Sequence, residues 1–317
     1  MLDRPSNKLA QAVMETLVYS DVFEFPLTAH EVHRFIIGSS ASFEETLHIL
    51  KTDTRFSQVD GYFTLAGREG IADIRKQREA RSKKLLPYAL KYGRMLGSLP
   101  FVRMVALTGS LAVMNVSKTA DFDYMLVTTP GRVWTARAFA LLLNRFTRLF
   151  GQTLCPNLII SETALEWPLH DLYSARELAQ MIPITRMDVY QRLMKANEWA
   201  QEFLPNAFPS IRDVEKQSPA LKRGLLRRSF HSFLAMTESI LNGKFGDRFE
   251  VWEMTRKIAR LSKQEGFGEE TIFTAEVCQG NFHHHRKWTQ KAFEEMLESL
   301  RSDSPLPIGE GAGVRVR

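Results

Sequence analysis

Two cysteines in 317 residues, Cys155 and Cys278, leave no room for a disulfide framework. Their separation reads as reduced thiols of a cytoplasmic protein. No apolar run approaches the eighteen or so residues that cross a bilayer, and Ala138 to Leu143 is the longest candidate. The opening residues, Met1-Leu2-Asp3-Arg4-Pro5, carry no basic stretch followed by an apolar one, so neither a secretory signal nor a membrane partner is expected. Several catalytic signatures are also missing. There is no Gly-x-Ser-x-Gly elbow, no Gly-x-Gly-x-x-Gly after a strand and no Gly-Lys-Ser/Thr. Serine-triad, dinucleotide-turn and P-loop chemistry are therefore not indicated.

What is present is an ordinary globular composition, 44% hydrophobic, with a formal charge of +6. An excess of cations favours polyanionic partners such as nucleotides or nucleic acid. The excess is local. Residues 71 to 97 read as a helix with Arg75, Lys76, Arg78, Arg81, Lys83, Lys84, Lys91 and Arg94 against Asp73 and Glu79. Lys222, Arg223, Arg227 and Arg228 form a second basic region. Such runs are more often solvated helix faces than phosphate grips.

The centre of the chain is the most informative part. Val105-Ala106-Leu107 runs as a buried strand into Thr108-Gly109-Ser110, and Asp121-Phe122-Asp123-Tyr124-Met125-Leu126-Val127 follows as a second apolar strand. Alternation along a strand puts Asp121 and Asp123 on one face. Two adjacent carboxylates repel unless a proton or a cation lies between them. Mg²⁺ or Mn²⁺ suits such a pair, and a Gly-Ser turn lets phosphate oxygens approach the backbone.

This arrangement resembles the DNA polymerase β-like nucleotidyltransferase superfamily over about residues 100 to 165. The resemblance implies transfer of a nucleoside monophosphate from a nucleoside triphosphate to an acceptor hydroxyl by a two-metal mechanism. Asp121 and Asp123 match the catalytic metal ligands, and Gly109 and Ser110 match the nucleotide-binding turn. The acceptor, whether small molecule, protein or RNA, is left open. In the family a third carboxylate on the next strand completes the site. Here that strand, Leu154 to Ile160, offers Cys155, Asn157 and Ile159 on one face. Asn157 is the nearest positional equivalent, able to ligate a metal through its carbonyl but unable to act as a base. Glu162, just past the strand end, is the nearest replacement carboxylate, set against its reading as a first-turn helix acid.

Around this core the expected fold class is α+β: a small mixed β-sheet with an N-terminal winged helix (1–70) and a C-terminal helical region. The core with its leading basic helix takes 71–168, the helical domain 169–301, and a Pro/Gly-rich disordered tail 302–317. Two capping boxes, Thr28 to Glu31 and Ser42 to Glu45, open the second and third helices. Asp60-Gly61 between Phe56–Val59 and Tyr62–Leu65 signals a hairpin. Glu44 and Glu45 sit on the helix that would enter a DNA groove, so DNA binding by the winged helix is not expected. Asp21 and Glu24 read as a loop, and a zinc site at His283-His284-His285 is disfavoured by spacing. After the second core strand, Thr129-Pro130-Gly131 reads as a helix start with Pro at the first position. Val133, Trp134, Ala138, Leu141, Leu142, Phe146 and Leu149 are its expected buried side. Later helices are expected over Leu172–Met181, Met187–Phe203, Pro219–Leu241, Gly246–Lys263 and Glu269 to about Leu300. An active transferase, a degenerate nucleotide-binding relative and a winged-helix regulator are the three functional readings.

Overall fold

The computed structural model describes residues 5–118, 121–208 and 236–302. The expected helix Pro219–Leu241 therefore lies mostly outside the described residues, as does the expected disordered tail beyond 302. The protein is a mixed α/β structure with two sheets.

The N-terminal part holds α1 (Pro5–Asp21), β1 (Leu27–Thr28), α2 (Ala29–Arg34), α3 (Phe43–Thr52), β2 (Phe56–Val59) and β3 (Tyr62–Leu65). Both capping boxes form, each with the Thr or Ser side chain on the third-residue N–H and the glutamate reaching back. The β2–β3 hairpin turns at Asp60 and Gly61, both at positive φ, the geometry an Asp-Gly turn permits. The sheet order is β1-β3-β2, so Leu27–Thr28 adds a third strand beside the hairpin.

The long helix α4 (Ile71–Leu96) then leads to the second sheet. This contains β4 (Val102–Leu107), β5 (Phe122–Thr128), β6 (Leu154–Ser161), β7 (Ile182–Pro183), β8 (Thr271–Phe273) and β9 (Val277–Gly280), in the order β7-β4-β5-β6-β9-β8. β4 and β5 are antiparallel, β5 and β6 parallel, and β6 and β9 antiparallel. A short α5 (Gly109–Ala112) follows β4, and α6 (Val133–Arg148) crosses from β5 to β6.

One face of this sheet (Val105, Phe122, Tyr124, Leu126) is packed by α4, α6 and α10 (Lys244–Leu261) through Ala89, Leu96, Trp134, Ala136 and Leu261. The other face (Met104, Ala106, Met125, Val127, Ile160) is packed by α7 (Leu172–Gln180), α8 (Met187–Ala196) and α9 (Ala200–Phe203) through Ala175, Leu178, Val189 and Leu193. Period-two alternation sends Asp123 to this second face, in line with Met125 and Val127.

Four local expectations change. Thr129-Pro130-Gly131 does not begin the helix. Gly131 has φ +67° and the Arg132 N–H donates to the Thr129 carbonyl, so Pro130 and Gly131 occupy the middle of a type II turn and α6 starts at Val133. The buried side of α6 is Val133, Trp134, Thr135, Ala136, Ala140 and Thr147, whereas Leu142, Phe146 and Leu149 are more than half exposed. Its second half stays on β6 through Asn144, which accepts from the Leu154 N–H, and through buried Thr147, so apolar periodicity alone does not mark what it buries. Met187–Phe203 is divided into α8 and α9 by a break after Ala196. The stretch from Glu269 is not one helix. Thr271–Phe273 and Val277–Gly280 form a hairpin that extends the main sheet beside β6, and only α11 (His285–Arg301) is helical. The described part of the C-terminal region is therefore mixed rather than wholly helical.

Candidate functional site

Strand β4 ends at Leu107 and the chain reverses through Gly109, whose φ is +66°. That conformation is strained for any residue with a Cβ. A second constraint acts at the same atom. A Cβ built on Gly109 would sit 2.5 Å from Oδ2 of Asp123. The turn and the carboxylate are thus in direct apposition, although a loop separates them in sequence. The Thr108 N–H donates to the Asp123 carbonyl at 3.0 Å and fixes the two strands there. Ser110 is exposed beside the turn, in the first turn of α5.

Asp123 is held at about 7, far above an ordinary carboxylate. Loss of water is the main cause, and the negative charges of Asp121 and Glu177 add to it. A hydrogen bond with Cys155 works weakly the other way. None of these neighbours is a cation. Asp121 is next to the pair's strand rather than in it, since β5 begins at Phe122.

The structure separates the residues expected to supply a third acid. Asp123 lies opposite Cys155 in the parallel register, so the position beside the pair on β6 is filled by a thiol. The thiol is pushed upward by burial and by both aspartates, and it stays protonated. Asn157 is not on the same alternation as Cys155. The register shifts between Tyr124 and Met125, pairing them with Pro156 and Leu158, so Asn157 is an extra, bulged and exposed residue. Ile159 belongs to the opposite face, in the core with Phe122. Glu162 is at the far end of β6, seven residues beyond Cys155, or about 20 Å at strand rise. Its carboxylate pairs with Arg192 at 2.9 Å. It is neither a first-turn helix acid nor a member of the site.

A residue that sequence reasoning missed takes part instead. Glu177 lies on α7, on the face that packs over Met125, and its charge is felt by Asp123. Burial raises Glu177 to about 7 as well, with Arg176 opposing the shift. No local signal marks it, because α7 reads as an ordinary amphipathic helix whose partner strand is remote in sequence. Glu177 also lines a cavity together with Thr108, Met125, Asn157 and Tyr173.

Other polar clusters resolve into structural roles. Asp21, with its carboxyl raised by burial, pairs with Arg68 at 2.9 Å, and Glu24 pairs with Arg78 at 2.7 Å. These two acids are thus anchors for neighbouring arginines. His285 is driven toward its neutral form by burial and by His283. Among the described residues no three His, Cys, Asp or Glu side chains are gathered closely enough to hold a metal ion. No helix among them is long and apolar enough to cross a membrane. Comparison of the chain with known protein families, with curated proteins and with solved structures gives no match.

Proposed function

We propose that this protein is a metal-dependent nucleotidyltransferase, moving a nucleoside monophosphate from a nucleoside triphosphate to an acceptor hydroxyl. The observation that carries the reading is the apposition of Gly109 and Asp123. A glycine at positive φ with no room for a Cβ, set against an acid whose charged neighbours among the described residues are carboxylates, is the arrangement expected where phosphate and metal meet. The finer fold reading goes with it: β4, β5 and β6 as the nucleotidyltransferase core, and residues 1–70 as a winged helix. DNA binding by that module is not part of the proposal, because Glu45 is committed to capping α3 at the end that would meet phosphate. A cytoplasmic location fits the free thiols of Cys155 and Cys278.

Mg²⁺ or Mn²⁺ would be held by Asp121 and Asp123, and when bound it would neutralise charge on the phosphates undergoing transfer. Gly109 lets the triphosphate approach the backbone closely, and the exposed hydroxyl of Ser110 donates to it. Asp121 and Asp123 give up their mutual repulsion when a cation lies between them, so the site gains most from the metal in the state where both are ionised.

Calorimetric titration with nucleoside triphosphate in the presence and absence of Mg²⁺ tests the reading. Gly109→Ala should weaken Mg²⁺-dependent binding at least about tenfold, because the methyl displaces the Asp123 carboxylate. It should also cost roughly 1–2 kcal/mol of stability through left-handed strain. Unaltered binding by that variant, or by Asp123→Asn, would sink the proposal.

A further inference from the structure

A partly open cavity that touches Thr108 of the turn and Met125 of β5 holds about 100 Å³. Its walls include Thr108 and Met125 from the strands of the Gly-Ser turn and the acidic pair, Asn157 from the bulge of β6, Glu177 from α7, Trp167 from the loop after β6, and Arg286 from α11. Most charges around it are already engaged. The Glu270 carboxylate accepts from the Asn281 amide and from the backbone N–H groups of Arg286 and Lys287. Arg286, the arginine of the lining, donates through Nη1 to Asp171 at 3.1 Å.

Three groups are left for a ligand, one of them the Nε–H of Arg286, which is buried without an acceptor among the described residues. The Glu177 carboxylate receives a long 3.4 Å contact from the Gln180 amide and has no ion pair among the described residues. Its neighbour Arg176 is turned away, over the Phe35 ring at 3.7 Å. The indole N–H of Trp167, another wall residue, is buried without an acceptor among the described residues. A buried donor left unpaired is costly, and a bound polar molecule would relieve it.

We propose that this cavity is the acceptor site, that the acceptor is a small neutral or cationic polyhydroxylated molecule, and that its reacting hydroxyl bonds to Glu177. The inference rests on the nucleotidyl-transfer reading above. A nucleic-acid end brings several phosphates, whereas the cavity wall sets three carboxylates, Glu166, Glu177 and Glu270, against the single arginine Arg286, itself paired through Nη1 with Asp171. The volume is also small: a cavity of about 150 Å³ takes benzene, so this one takes a short polyol or part of a single sugar ring. In the reaction the acceptor oxygen forms a bond to the α-phosphorus. The bond from that phosphorus to the bridging oxygen breaks, pyrophosphate leaves with the electron pair, and the hydroxyl proton passes to Glu177. The missing strand carboxylate is thereby replaced by one arriving on a helix.

The test uses the full-length chain, Mg²⁺ and nucleoside triphosphate labelled at the α-phosphate. The dialysable and non-dialysable fractions of a cell extract are supplied separately. Label is expected in a new small product from the dialysable fraction. Glu177→Gln should slow that transfer about a hundredfold or more, while Mg²⁺-dependent nucleotide binding persists with at most a severalfold change, because loss of the Glu177 charge also acts on Asp123. Ala164→Trp, which fills the cavity wall, should do the same. Label in RNA or protein, or full-rate transfer by Glu177→Gln, overturns the proposal. Nucleotide binding that needs Asp123 but yields no labelled small product overturns the acceptor site and leaves nucleotide binding standing. Absence of Mg²⁺-dependent nucleotide binding removes the transferase reading itself.

Discussion

At Asp123 the balance of desolvation against charge has a consequence that can be measured without any substrate. The folded protein holds this carboxyl at about 7, whereas its ordinary value is 3.8. Between those values the native state keeps a proton that the unfolded chain has released. Stability contributed by this group therefore falls as pH rises through that window, and the loss is complete above it. Glu177, also raised to about 7, adds to the same slope. Asp123→Asn removes the charge that water no longer solvates. In metal-free protein it should gain about 1–3 kcal/mol over wild type at pH 8 and nothing below about pH 4. Denaturant unfolding at the two pH values reads this directly. Equal stabilities at pH 8 would mean that Asp123 is better solvated than its surroundings indicate.

At the scale of single elements, what could be read from sequence was what is decided locally. The two capping boxes and the Asp-Gly hairpin each depend on contacts within about four residues, and each formed where expected. The same holds for the alternation that directs Asp123 and Met125 to one face of β5. What was not legible depends on partners far along the chain. Leu142, Phe146 and Leu149 keep a helical period yet stay exposed, because Asn144 and Thr147, not they, are on the side that meets β6. Val277–Gly280 is a strand because β6 offers an edge at Ile159, and Thr271–Phe273 pairs with it in turn. Glu177 entered the site only because α7 packs over Met125. Glu162 gives the opposite case, a carboxylate near in sequence and remote in space. Its pair with Arg192 is half-exposed on the arginine side, a geometry worth less than about 1 kcal/mol. Glu162→Gln should therefore change neither nucleotide binding nor transfer by more than about twofold, as steady-state assays would reveal. A hundredfold loss would restore it as a participant.

Across the whole molecule, three arginines of the basic helix α4 are engaged by their neighbours. Arg75 donates to both oxygens of Glu31 and lies over the rings of Phe25 and Tyr62. Arg78 reaches Glu24, the Phe23 carbonyl and Asn115, and Arg81 reaches the Val116 carbonyl. Asn115 and Val116 belong to the segment between the Gly-Ser turn and Asp121. On the opposite side Arg176 and Arg34 tie α7 to the N-terminal helices, through Phe35 and the Ala179 carbonyl. The N-terminal layer is therefore clamped to both elements that build the site. A chain beginning at residue 71 would leave Arg75 and Arg78 without their acids and expose the ring-stacked side of Arg176. Loss of a buried partner costs about 3–5 kcal/mol, and several are lost at once. Such a truncation should lack a cooperative melting transition, and a sharp transition near the wild-type temperature would refute this. Residue 70 is a place where the sequence changes character, yet bonds reach across it to both elements. Like a tie beam, the first seventy residues hold together the segment before Asp121 and α7, between which the chemistry is proposed to occur.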